Sequence, residues 1–74
     1  MERRRLTFAI DAGTTPLAWR VRGEYREMPG LRLTVRQAAR LFDVAPDVAH
    51  DVLDALRQAS ILTYSAQGAY LLNR

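Results

Sequence analysis

The spacing of apolar and polar positions changes repeatedly along the chain, and the changes mark its elements. Leu6, Phe8 and Ile10 alternate with Arg5, Thr7 and Ala9, the period of two expected of a half-buried strand. Residues 11–14 then read as a turn. Thr15 followed by Pro16 suits a helix cap and first helical position, and Leu17, Val21, Tyr25 and Met28 recur at helical spacing after it. Gly23 weakens this first helix, and Pro29-Gly30 ends it, because the residue before proline avoids helical angles. Residues 31–33 alternate and are too few for a helix, so they predict a small strand.

A second helix begins directly afterwards. Thr34-Val35-Arg36-Gln37 has the spacing of a capping box, with Val35, Ala38, Leu41 and Phe42 as the apolar face that follows. A tight connection over residues 43–45 leads to Pro46, which is tolerated in a first helical turn because its missing N–H has no helical partner there. The third helix is expected to run to about Ser60, with Ala49, Val52, Leu53, Leu56 and Ala59 as its buried stripe. Residues 61–64 and 69–72 are β-branched, aromatic and apolar runs around Ser65-Ala66-Gln67-Gly68, the pattern of a hairpin. The predicted core joins Leu41, Phe42, Val52, Leu53 and Leu56 to Val21 and Tyr25 of the first helix. Only the N-terminal strand lacks an evident partner. Unpaired, it leaves an exposed apolar edge, so it either covers its own domain or pairs with another chain, and a homodimer is the expectation.

Size and composition narrow the class. Seventy-four residues allow one domain, near the lower limit for a core without staples. The expected division is an arm and strand over 1–14 and a folded core over 15–72. With 49% hydrophobic and 26% charged residues the chain is expected to fold. No apolar run approaches the roughly 20 residues that span a bilayer, and residues 1–5 do not lead into a signal-peptide core, so a cytoplasmic protein without membrane contact is expected. The absence of cysteine removes disulfides, thiolate nucleophiles and thiolate zinc sites together. One histidine and no glycine-rich phosphate loop leave no nucleophile and base to pair. A non-enzymatic protein with no cofactor, no metal and no small-molecule substrate is the expectation.

Charge is unevenly placed. All eleven basic residues are arginine against eight acidic ones, for a formal net charge of +3, and nine of the arginines fall within residues 1–40. Cations gathered on one face are what bind a phosphate backbone. Arg36 and Arg40 stand one helical turn apart beside Arg32, and the first-helix arginines can extend that surface; alternatively Arg20 pairs with Glu24 and the rest are hydrated. Arg3, Arg4 and Arg5 form either a basic arm reaching phosphate or a minor groove, or a solubilising terminus. The third helix reverses the sign. Asp47, His50, Asp51 and Asp54 share its outer face, which reads as a solvated acidic surface rather than a divalent-metal site, and His50 as a solvent-facing residue. Trp19, off the main stripe of the first helix, is expected to pack within the protein, and Tyr64 against Tyr70 across the hairpin.

Residues 40–53, Arg-Leu-Phe-Asp-Val-Ala-Pro-Asp-Val-Ala-His-Asp-Val-Leu, resemble the helix-turn-helix of bacterial repressors of the lac repressor type, which often read Arg-Leu-Ala-Gly-Val-Ser-Pro-x-Thr-Val-Ser-Arg-Val-Leu. With the hairpin that follows, residues 17–72 are similar to a winged helix-turn-helix. The run from Met28-Pro29-Gly30-Leu31-Arg32-Leu33-Thr34 through Gln37-Ala38-Ala39-Arg40-Leu41 is similar to short bacterial winged-helix proteins, a likeness that assigns no activity. The resemblance implies an α+β fold: a three-helix winged helix-turn-helix with a C-terminal β-hairpin wing, here with an extra N-terminal strand.

The packing positions of the repressor motif carry over as Ala39, Val44, Ala49, Val52 and Leu53. Its contact positions do not. The turn glycine is Asp43, the serine cap is Ala45, and the threonine, serine and arginine of the reading helix are Val48, His50 and Asp51. A helix lined with carboxylates is repelled by phosphate, and the hairpin over 61–72 has no lysine or arginine. The expected function is nucleic-acid binding or transcription regulation through weak, mainly electrostatic contact with double-stranded DNA by Arg3, Arg4, Arg5, Arg32, Arg36 and Arg40. The alternative is a protein-interaction module on the same scaffold, using the acidic third helix.

Overall fold

Thr15 opens the first helix by accepting a hydrogen bond from the Ala18 N–H on its side-chain oxygen at 3.2 Å, with Pro16 in the first helical turn. The structure, a computed structural model, describes residues 15–73. Arg3, Arg4 and Arg5 and the strand expected over residues 6–10 lie outside the described residues. Helix α1 spans Pro16–Glu27 and buries Ala18, Val21 and Tyr25. The chain leaves the helix at Met28, whose N–H still reaches the Glu24 carbonyl at 3.0 Å. Met28, which continues the helical spacing of Leu17, Val21 and Tyr25, is therefore off the buried face: it is 47% exposed, whereas Ala18 is buried.

Strand β1 is the dipeptide Arg32–Leu33, with Arg32 exposed and Leu33 buried. Helix α2, Val35–Phe42, begins at a complete capping box. The Thr34 hydroxyl accepts from the Gln37 N–H at 3.1 Å, and the Gln37 side-chain oxygen accepts from the Thr34 N–H at 2.9 Å. Ala38, Ala39 and Phe42 face the core. Leu41, expected there, is 49% exposed. Each helical residue advances about 100°, so a face centred between Ala38 and Ala39 includes Phe42 and leaves Leu41 on the flank.

Helix α3, Pro46–Gln58, buries Ala49, Val52, Leu53 and Leu56 against α2 and α1. It stops before Ala59, which is exposed at the helix end instead of continuing the stripe. Ser60 then takes a left-handed conformation, φ 65°. Its N–H donates to the Arg57 carbonyl and the Ile61 N–H to the Leu56 carbonyl, both at 2.9 Å. This is the Schellman arrangement that satisfies a helix's last carbonyls.

Strands β2, Leu62–Tyr64, and β3, Tyr70–Leu72, form the expected hairpin, with Tyr64 opposite Tyr70. Gly68 carries the turn's positive φ, 84°. The small strand β1 pairs with β3 on its other side, Leu33 opposite Tyr70, giving an antiparallel sheet in the order β1-β3-β2. The described chain is thus α+β, three helices with a three-stranded antiparallel sheet. Val21 and Tyr25 from α1, Phe42 from α2, Leu53 and Leu56 from α3 and Leu62 and Tyr70 from the sheet meet in one apolar cluster. Full burial of each leucine contributes about 1.5–3 kcal/mol. Among the described residues, no helix is long and apolar enough to cross a membrane.

Candidate nucleic-acid interface

The connection between α2 and α3 is built on Asp43, which adopts φ 57° and ψ 52° where a glycine is cheapest. Asp43 can hold this conformation because its short polar side chain tolerates the left-handed region better than most. The Val44 N–H then donates to the Ala39 carbonyl at 3.0 Å, closing the end of α2. Ala45 caps α3 without any side-chain acceptor, and Pro46 removes one of the amides a cap would otherwise have to satisfy.

The outer face of α3 is acidic and its charges are mostly uncompensated. Asp47 accepts from the N–H of its neighbour Val48 at 3.0 Å and favours the positive end of the helix dipole. His50 Nδ1 lies 3.5 Å from the Asp51 carboxylate, a contact at the limit of hydrogen bonding between two exposed side chains. Among the described residues Asp54 is the carboxylate of this face that an arginine holds: Arg57 Nε donates to it at 2.9 Å and Gln58 Nε2 at 2.8 Å. Partial desolvation pushes the Asp54 carboxyl up, but the hydrogen bonds from Arg57 and Gln58, with the Arg57 and His50 charges, outweigh it and hold Asp54 below the usual carboxylate range. Among the described residues no three histidine, cysteine or acidic side chains come together as metal ligands would.

The arginines divide into two kinds. Arg32 on β1 and Arg36 and Arg40 on α2 are exposed, with Arg36 and Arg40 one helical turn apart, and no described carboxylate lies within ion-pair reach of any of them. Arg20 and Arg22 of α1 instead lie over aromatic rings. Arg20 stands over Phe42 at 5.4 Å and does not pair with Glu24; Arg22 stands over Trp19 at 4.6 Å. Such contacts contribute about 0.5–1 kcal/mol at exposed sites. Trp19 itself is 55% exposed, so the expectation that it packs inward is corrected for the described residues. The three-residue step from Trp19 to Arg22 was the available signal for this stack, since residues at that spacing are neighbours on a helix.

Tyr64 and Tyr70 meet edge to face across the hairpin with ring centroids 4.7 Å apart, as their cross-strand positions predicted. The contact sequence reasoning did not find is longer in range. The buried Tyr25 hydroxyl donates to the Tyr70 carbonyl at 2.7 Å, joining α1 to the sheet. Burial raises the Tyr25 phenol far above its ordinary range, with Tyr70 adding to the shift.

No protein family, curated protein or solved structure matches the chain. Three helices and a small antiparallel sheet are compatible with the winged-helix arrangement that the sequence resemblance implies.

Proposed function

We propose that this chain is a winged helix-turn-helix protein that binds double-stranded DNA as a regulator, with its phosphate contacts on the β1–α2 side and not on α3. In this reading α2 and α3 are the helix-turn-helix, Asp43 is the turn residue, and β2 and β3 are the wing. The observation that carries the proposal is the charge division: Arg32, Arg36 and Arg40 are exposed with no described carboxylate beside them, whereas Asp47 and Asp51 occupy the outer face of the helix that reads DNA in the resembled repressors. A cationic surface of this size gives non-specific, salt-dependent affinity and fixes orientation on the duplex without reading bases. Arg3, Arg4 and Arg5 extend the same electrostatics into residues outside those described. No catalytic step is assigned.

The test is a titration of random-sequence duplex DNA at two salt concentrations. Binding is expected to weaken steeply with salt, and Arg36→Ala with Arg40→Ala to flatten the slope by about 1 per lost phosphate contact. No binding at low salt, or a slope untouched by the two substitutions, would remove the proposal. A second reading, a protein-interaction module on the same scaffold, is favoured by the exposed acidic face of α3 and the uncharged hairpin.

A further inference from the structure

One stripe of α1 is neither core nor part of the proposed DNA surface. Trp19, Arg22 and Arg26 stand at positions i, i+3 and i+7, so they share a face, while Glu24 and Glu27 fall off it. Trp19 is 55% exposed, and the Arg22 guanidinium lies over its ring at 4.6 Å. An exposed aromatic ring beside arginines is the composition found at the energetic centres of protein interfaces.

The complementary surface is on the same molecule. Asp47 and Asp51 on α3 are exposed, stand four residues apart as Arg22 and Arg26 do, and are met by no described arginine. Both pairs therefore span about 6 Å along a helix, and two ion pairs can form in register. Asp54 is already met by Arg57, whereas on the same face Asp47 is met by no described cation and Asp51 only by the exposed His50 at 3.5 Å. Val48, 36% exposed, flanks them as an apolar surface for the indole.

We infer that the Trp19–Arg22–Arg26 stripe docks on the Asp47–Asp51 face of a second copy of this chain. Each copy carries both surfaces, so a two-fold pair uses each of them once per subunit and leaves neither exposed. This contact is separate from the strand-mediated homodimer expected from residues 6–10, and it does not involve Arg32, Arg36 or Arg40, so it stands or falls independently of DNA binding.

The experiment is sedimentation equilibrium of the full chain at high micromolar concentration in about 50 mM and about 500 mM salt, together with fluorescence of Trp19, the one tryptophan. Low salt is expected to give the dimer mass and a blue-shifted emission that grows with concentration, and high salt to shift both toward the monomer. Arg22→Glu with Arg26→Glu, and separately Asp47→Arg with Asp51→Arg, should each be monomeric with unchanged circular dichroism. Mixing the two variants should restore the dimer, because each then offers the other its missing sign. A monomer under all conditions overturns the inference. So does a dimer that survives both double substitutions, which would place the contact elsewhere, and so does an emission shift that appears only with an oligonucleotide bound to monomeric protein.

Discussion

The hydroxyl of Tyr25 and the carbonyl of Tyr70, 45 positions apart, meet at 2.7 Å inside the core. The bond places a fully buried α1 side chain against β3, the middle strand of the sheet. Tyr25→Phe keeps the ring and removes the donor, so the Tyr70 carbonyl loses this hydrogen bond. The expected loss is about 1–2 kcal/mol, read by urea denaturation.

The same tyrosine links stability to alkaline pH. Its phenol titrates higher in the folded state than in the unfolded chain. Its contribution is therefore fully present below the ordinary phenol range and is lost as pH rises through and beyond it. Stability should fall above about pH 10, and in Tyr25→Phe that fall should be shallower, with Tyr70, also shifted upward by burial, supplying what remains. Equal slopes for the two proteins in pH-dependent melts would contradict this assignment.

Two leucines separate core from flank. Leu53 is 1% exposed and Leu41 49%. Leu53→Ala should cost about 2–5 kcal/mol, enough to unfold a domain this small, whereas Leu41→Ala should stay within about 0.5 kcal/mol. Thermal melts of the pair provide the comparison, and equal losses would refute the burial pattern.

Ser60 holds φ 65° at the end of α3. A residue with a Cβ is strained there, and glycine is not. Its N–H and carbonyl contacts, to Arg57 and Asn73, are main-chain on the Ser60 side and survive the change. Ser60→Gly should raise stability by up to about 1 kcal/mol, and Ser60→Val should lower it by more than that. Chemical denaturation of both variants checks the sign.

On duplex DNA, Asp51→Ala should leave affinity equal or tighter, measured at protein concentrations too low for self-association, because it removes a charge that phosphate repels. Loss of a sequence-specific complex on this substitution would instead make α3 the reader.

Local chemistry made most of the elements legible. Thr15-Pro16, the Thr34–Gln37 capping box and Pro46 each declare a helix start through hydrogen bonds or missing donors within four residues, and the structure places helices at all three. The helix ends were harder to read. Met28 and Ala59 continue an apolar spacing past the point where the backbone turns away, and Leu41 shows that a short helix has too few turns for periodicity to separate face from flank. Pairings across the chain, Leu33 with Tyr70 and Tyr25 with Tyr70, leave no local trace. The candidate arginines were visible as residues, but the contacts of Arg20 with Phe42 and Arg22 with Trp19 are set by packing.

The position of β3 in the sheet has a consequence for how the protein opens. All three of its residues pair with β2 on one side, Tyr70 and Leu71 also pair with β1 on the other, and the Tyr70 carbonyl accepts from Tyr25 of α1. No hairpin can therefore swing out while the helices stay assembled, since releasing Tyr70 also releases Leu33 and the Tyr25 hydroxyl. The slowest amide protons of the sheet and those of α1 should exchange with a common free energy, equal to that of global unfolding, so that the described elements behave as one cooperative unit.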